Sequence, residues 1–171
     1  MPTSISKRRA DIAPRPPRRP PSGSLAERPP LDTVELQAAL GFRLREAWAS
    51  MERYFLDCFR EEKVTPAIYA VLVLVAANPG CLASEICAVT SISSANIIPY
   101  IDELVERGLI RREVGASDRR VKHLHLTDKG AVRLEAWRRL EKRVMEHFQK
   151  KLGAQNLPRF VEWLGNISKQ D

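Results

Sequence analysis

Apolar residues recur at helical spacing through most of this chain from about residue 32 onward. Residues 32–61 predict one long helix. Gln37, Leu40, Leu44, Trp48, Met51, Phe55 and Cys58 share a stripe, with Ala47 and Phe59 beside it. Asp32 followed by Glu35 has the spacing of a capping box. About thirty residues is long for one domain helix, so the stripe is expected to pack against a second chain as well as its own. Thr65-Pro66 then reads as an N-cap followed by a proline at the first helical position. The run 67–77 is wholly apolar, which predicts a helix buried on all sides, stopped by Asn78-Pro79-Gly80.

The pattern then shortens. Residues 84–89 predict a short helix, and Ser91 to Ser94 a polar turn. A further helix spans about 95–107, with Ile97, Ile101, Leu104 and Val105 facing inward and Gly108 closing it. Period-two patterning follows. Leu109–Val114 and Val121–Leu126 predict a hairpin around a loop at 115–120, with Leu124 and Leu126 on one face and His123 and His125 on the other. Thr127 caps a helix running to about Lys151, whose stripe is Ala131, Leu134, Trp137, Leu140, Val144 and Phe148. Gly153 breaks it. A last helix from Asn156 carries Phe160, Trp163, Leu164 and Ile167.

Composition changes the picture mainly at the N-terminus. The 171 residues carry a net charge of +7, but residues 1–30 hold seven Lys/Arg against Asp11 and Glu27. The remainder has 21 basic and 19 acidic residues, so its interactions must be argued from local patches. Eight of the twelve prolines also lie in 1–30. Such a stretch cannot bury enough apolar area to fold, and it reads as a disordered basic arm, either solvated or attracted to phosphates. Cys58, Cys81 and Cys87 form no CxxC pair and predict no disulfide scaffold. No secretory signal or membrane span is legible, which predicts a cytoplasmic protein with no membrane partner.

The element order places a helix-turn-helix before a two-stranded wing. In that arrangement the second helix enters the major groove N-terminus first. The residues there are Ser91, Ser93, Ser94 and Asn96, and an Asn amide can pair with adenine twice. The wing offers Arg119, Arg120 and Lys122, suited to a narrow, negative minor groove. Asp118 fits this tip if it accepts hydrogen bonds from a neighbouring Arg and holds its fork. Read alone, the three cations are equally a solvated turn; the preceding helix-turn-helix favours the DNA-contacting reading.

These residues resemble the MarR family of winged helix-turn-helix regulators. The resemblance lies in "IDELVERGLIRRE" and "DRRVKHLHLTDKG", through Leu104, Gly108-Leu109-Ile110, Arg112, Asp118-Arg119-Arg120, Leu126-Thr127 and Gly130. It continues outward to Ser84-Glu85-Ile86 and Thr65, and in element order covers about 31–168. It implies a homodimer joined by the terminal helices, bound to a pseudo-palindromic operator in double-stranded DNA. Such a protein is usually a repressor, and in many members a small phenolic or aromatic ligand releases the DNA. In the family pattern Asp118 orients Arg120, and Arg120 probes the minor groove. One position departs from that pattern. Pro99 stands where relatives often carry a base-reading cation, so that the helix either kinks there or effectively begins near Asn96.

The resulting expectation is a mainly α fold with a two-stranded β-wing. Residues 1–30 form the arm, 31–62 and 128–171 the dimerisation region, and 63–127 the winged helix-turn-helix lobe. The function is ligand-responsive transcription regulation, with an aromatic acid or its thioester as the effector. Trp48, Met51 and Tyr69 are candidates to line its pocket, and Arg43 and Arg45 to hold its carboxylate. The bland alternatives are core aromatics and solvated helix charges. A winged-helix protein-interaction module is a second reading, and redox regulation through Cys58 a third, although a free Cys on an apolar stripe usually acts as a small hydrophobe. His123 and His125 lack a third ligand partner and read as exposed polar or phosphate-contacting residues. No metal, cofactor or enzymatic motif is expected.

Overall fold

The computed structural model describes residues 30–115 and 120–169. Two helices, α1 (Val34–Ala38) and α2 (Leu40–Cys58), replace the single helix expected over 32–61. The break falls at Ala39, where a ψ of 123° extends the backbone. The capping box expected at Asp32 is not formed. Thr33 occupies the cap position, and Asp32 Oδ1 accepts instead from the Val34 N–H two residues on, at 3.0 Å. Beyond Cys58 a 3-10 turn at Arg60–Glu62 ends on Lys63, left-handed at φ 53°.

Helix α3 (Pro66–Ala77) begins as expected, with the Thr65 hydroxyl accepting from the Ile68 N–H at 3.3 Å. It is the centre of the molecule and packs against α2, β2, α6 and the two helices that follow it. Ile68, Val71, Leu72 and Val75 are buried, and Val73, Leu74 and Ala76 are half-buried, which accounts for its unbroken apolar run. Next comes α4 (Ala83–Thr90), where Glu85 reaches back to accept from the Leu82 N–H at 2.7 Å. That is one half of a capping box, and the Leu82 side chain cannot supply the other.

The helix-turn-helix is completed by α5 (Ser94–Glu106), and the wing by antiparallel β1 (Ile110–Val114) and β2 (Lys122–Leu126), in register from Ile110 opposite Leu126 to Val114 opposite Lys122. Gly108 takes φ 70° between α5 and β1, a left-handed turn that favours glycine. Helix α6 (Asp128–Leu152) is capped by Thr127, whose hydroxyl accepts from the Gly130 N–H at 2.9 Å. After Gly153 comes α7 (Leu157–Ser168), which packs on α6.

One apolar core joins α2, α3, α5, the wing root and α6. Phe55 and Phe59 stack at 4.0 Å, and Phe59 meets Trp137 edge-on at 6.4 Å. Trp137 is fully buried, and its indole N–H donates to Glu62 Oε2 at 3.0 Å, as a buried donor requires. On α6 Leu134, Trp137 and Val144 are buried and Leu140 and Phe148 half-buried, but Ala131 is exposed. Neither α1 nor α7 contains a buried residue, and Leu36, Leu40, Trp48, Val161, Trp163 and Ile167 remain exposed on them and on α2.

Candidate nucleic-acid interface

The turn between α4 and α5 is tight because Ser91 adopts a left-handed conformation, φ 56° and ψ 17°. Ser93 then caps α5 in extended geometry, and its side chain makes no capping hydrogen bond. The helix begins at Ser94, two residues before the Asn96 start that would have put Pro99 in its first turn. Pro99 therefore lies inside the helix, in the second turn. Having no N–H, it leaves the Ala95 carbonyl without its usual intrahelical donor. Ser91, Ser93, Ser94 and Asn96 are all exposed at this end of α5.

The wing is anchored at its root by polar contacts from three directions. Arg112 of β1 donates to Asp102 of α5 at 2.5 Å, tying the wing to that helix. The linker between α3 and α4 pairs with β2 through Gly80 N–H to Leu124 O at 2.8 Å and Leu124 N–H to Cys81 O at 2.9 Å. His123 Nδ1 bonds the Gly80 carbonyl at 2.8 Å, so that nitrogen carries the proton. His123 and His125 are both half-buried, where the exposed alternative had them open to solvent. The ring of His125 lies 3.5 Å from Glu113, whose carboxyl is held below its ordinary pKa by the hydrogen bond from Arg111, then by the charges of Arg111 and the two histidines. Lys122 and Arg120 are exposed, while Asp118 and Arg119 lie outside the described residues. A cleft of about 300 Å³ lined by Ile98, Asp102, Arg112 and Lys122, among others, shows that the outer face of α5 adjoins the wing.

A second polar centre links this lobe to the long helices, and the sequence reading did not include it. Glu62 accepts from Arg133 at 3.0 Å and from Trp137, and its backbone carbonyl accepts from Arg107 at 3.0 Å. Arg107, at the end of α5, also donates to the Lys63 carbonyl and to Glu103. The end of α5 is thereby tied to the α2–α3 junction and, through Glu62, to α6.

The effector candidates are dispersed. Tyr69 is half-buried, its ring 5.8 Å from Phe59 and 6.1 Å from Phe55. Burial raises its phenol pKa, and the Glu141 carboxylate adds to the rise. Trp48 (50% exposed) and Met51 remain on the uncovered stripe of α2. Arg43 donates to the Gln37 carbonyl at 2.7 Å and to Glu46 at 3.1 Å, and Arg45 is exposed. Cys58 is half-buried against the core. Glu141 was missed. It falls on the Leu134, Trp137, Val144 face, its Oε2 is buried with no hydrogen-bond partner, and burial raises its pKa. Among the described residues no group of three or more His, Cys, Asp or Glu could hold a metal ion. Nor is any described helix long and apolar enough to cross a membrane.

Known proteins carry the same arrangement. The MarR family model matches residues 63–121, from the α2–α3 junction to the wing. A regulatory protein for the hcr operon of Thauera aromatica is 33% identical over 132 residues, covering 77% of this chain and 76% of that protein. The transcriptional repressor CouR, solved bound to a 23-mer DNA duplex, is 34% identical with a TM-score of 0.77, over 82% of this chain and 100% of the CouR chain. CouR bound to p-coumaroyl-CoA is 31% identical with a TM-score of 0.75, over 83% and 100%. With this likeness covering more than three quarters of its length, the chain belongs to the MarR family of transcriptional regulators.

Proposed function

We propose that this regulator is a cytoplasmic homodimeric repressor that binds a pseudo-palindromic operator and leaves it when an aryl-CoA thioester binds. The observation that carries the DNA half is the Asp102–Arg112 lock. It holds the wing against α5, so that Ser91, Ser93, Ser94 and Asn96 meet base edges and phosphates in the major groove while the wing follows the backbone. Lys122 and Arg119 neutralise phosphates, and Arg120, braced by Asp118, enters the minor groove. Residues 63–127 form the DNA-binding lobe. Residues 31–62 and 128–171 join the two protomers, a reading supported by Leu40, Trp48, Trp163 and Ile167, large apolar side chains left exposed on these segments. The arm at 1–30 adds non-specific attraction to DNA through its charge.

The effector class rests on CouR, which has been solved with p-coumaroyl-CoA. Here Trp48, Met51 and Tyr69 are assigned to the aryl portion, and Arg43 and Arg45 to the anionic portion of the ligand. A gel-shift assay with the DNA upstream of the protein's own gene tests both halves. A retarded complex at low salt that dissolves on adding aryl-CoA thioesters, but not free CoA, is expected. Absence of any shift at low salt favours a protein-interaction module instead. A shift that no thioester reverses removes the effector assignment alone.

A further inference from the structure

Helix α5 has one outward stripe, set by Ala95, Ile98, Pro99 and Asp102 at i, i+3, i+4 and i+7, opposite buried Ile97, Ile101 and Leu104. No cation lies on it. Asp102 is engaged by Arg112 and Glu106 continues the stripe only at the far end of the helix, which leaves three apolar side chains on its first two turns. Ile98 is 45% exposed, and it stands where the outer face of α5 meets the wing, lining the cleft that also contains Lys122. An isolated exposed Ile is ordinary on a protein surface. Three apolar residues forming the stripe of a helix that enters the major groove are a different matter, because they limit what that helix can read.

Guanine is most often read by Arg or Lys donating to O6 and N7. This stripe has neither, and nearby Ser94 and Asn96 supply only a hydroxyl and an amide. The major groove presents one apolar group, the C5-methyl of thymine. A methyl packed against Ile98 is removed from water on both sides, whereas a cytosine edge there places an amino donor against hydrocarbon.

We propose that Ile98, flanked by Ala95 and Pro99, reads a thymine C5-methyl in each operator half-site, with Asn96 favouring adenine nearby. This specificity rests on the reading that α5 occupies the major groove, and it makes the half-site core A·T-rich.

Replacing thymine by uracil deletes the methyl and leaves the hydrogen-bonding edge intact. Once footprinting has located the operator, each half-site thymine is exchanged for uracil in symmetric pairs. Affinity of the full-length protein is then measured by fluorescence anisotropy at fixed salt. Burying one methyl corresponds to about a fourfold change in affinity, so exchanging one symmetric pair is expected to raise Kd about fifteenfold. Ile98→Ala should weaken binding to the thymine operator and lose most of the sensitivity to uracil at that pair. Its exposed position leaves the core untouched, which circular dichroism checks.

Equal binding when every half-site thymine is uracil overturns the proposal. So does an Ile98→Ala variant that retains the full uracil penalty, since another residue would then be reading the methyl. Failure to bind any duplex removes the major-groove reading, and this inference with it. Normal binding without a methyl effect removes only the inference.

Discussion

Gly130 sits in the first turn of α6 against the root of the wing. A Cβ built there falls 2.8 Å from Leu126 Cδ1 and 2.9 Å from the Leu109 carbonyl carbon, and still closer to the Leu109 carbonyl oxygen. Two effects oppose each other in Gly130→Ala. Helix propensity favours alanine by about 1 kcal/mol. Crowding in a packed site costs about 1–3 kcal/mol, and here the main obstacle is backbone, which cannot rotate aside as a side chain can. Leu109 O also accepts from the Thr127 N–H at 3.0 Å and its hydroxyl at 3.1 Å, so moving it weakens those bonds too, at about 1 kcal/mol. The net expectation is a loss of about 1–3 kcal/mol, or a Tm lower by roughly 3–10 °C for a chain of this size. Thermal melts followed by circular dichroism, at one fixed protomer concentration, measure it. A Tm equal to or above the parent would mean that the wing root moves freely against α6, and the reasoning would fail.

Other outcomes follow from the same contacts. Glu62→Ala strands the buried Trp137 N–H and should cost about 1–3 kcal/mol in urea unfolding, whereas Glu62→Gln, which retains an acceptor, should cost less than half as much; equal losses would show that the indole bond contributes nothing. Glu141 has a folded-state pKa raised by burial, so stability is fully present below the ordinary carboxyl pKa and declines as pH rises through the folded value. Glu141→Gln should flatten that decline, and Glu141→Leu should raise the urea midpoint at neutral pH; unchanged profiles in both variants would refute the burial argument. Arg120→Ala should weaken operator binding and lower the slope of log K against log salt by about one released counterion per protomer, because a cation in the minor groove also displaces counterions. A full slope and full affinity would remove Arg120 from the interface.

The legible parts of the fold were those set by local chemistry. Thr65-Pro66, Thr127 and Gly108 act within one helical turn, and each does what its residue type implies. The break at Ala39 was hidden because Ala38-Ala39-Leu40 contains no strong helix breaker, and periodicity alone continued across it. Glu141 was overlooked because Leu140 satisfied the apolar stripe. Spacing from Trp137 to Val144 nevertheless places the carboxylate inward, and only tertiary burial reveals that it lacks a partner. The Glu62 centre joins residues more than seventy positions apart in sequence, a distance over which no local pattern carries information. His123 likewise looked exposed on an alternating strand, because the linker at Gly80 that covers it comes from another part of the chain. For the residues proposed to contact DNA, the sequence order of helix, turn, helix and wing was sufficient to nominate them. What the structure adds is the Asp102–Arg112 tie and a helix that runs unbroken through Pro99.

In the proposed complex two copies of this chain place two α5 helices in successive major grooves of one operator. Hydroxyl-radical footprinting of the full-length protein on the DNA upstream of its own gene tests it most directly. A two-fold symmetric footprint is expected, with half-site centres one helical turn apart, about 34 Å. A single asymmetric protected patch, or no protection at low salt, would contradict it.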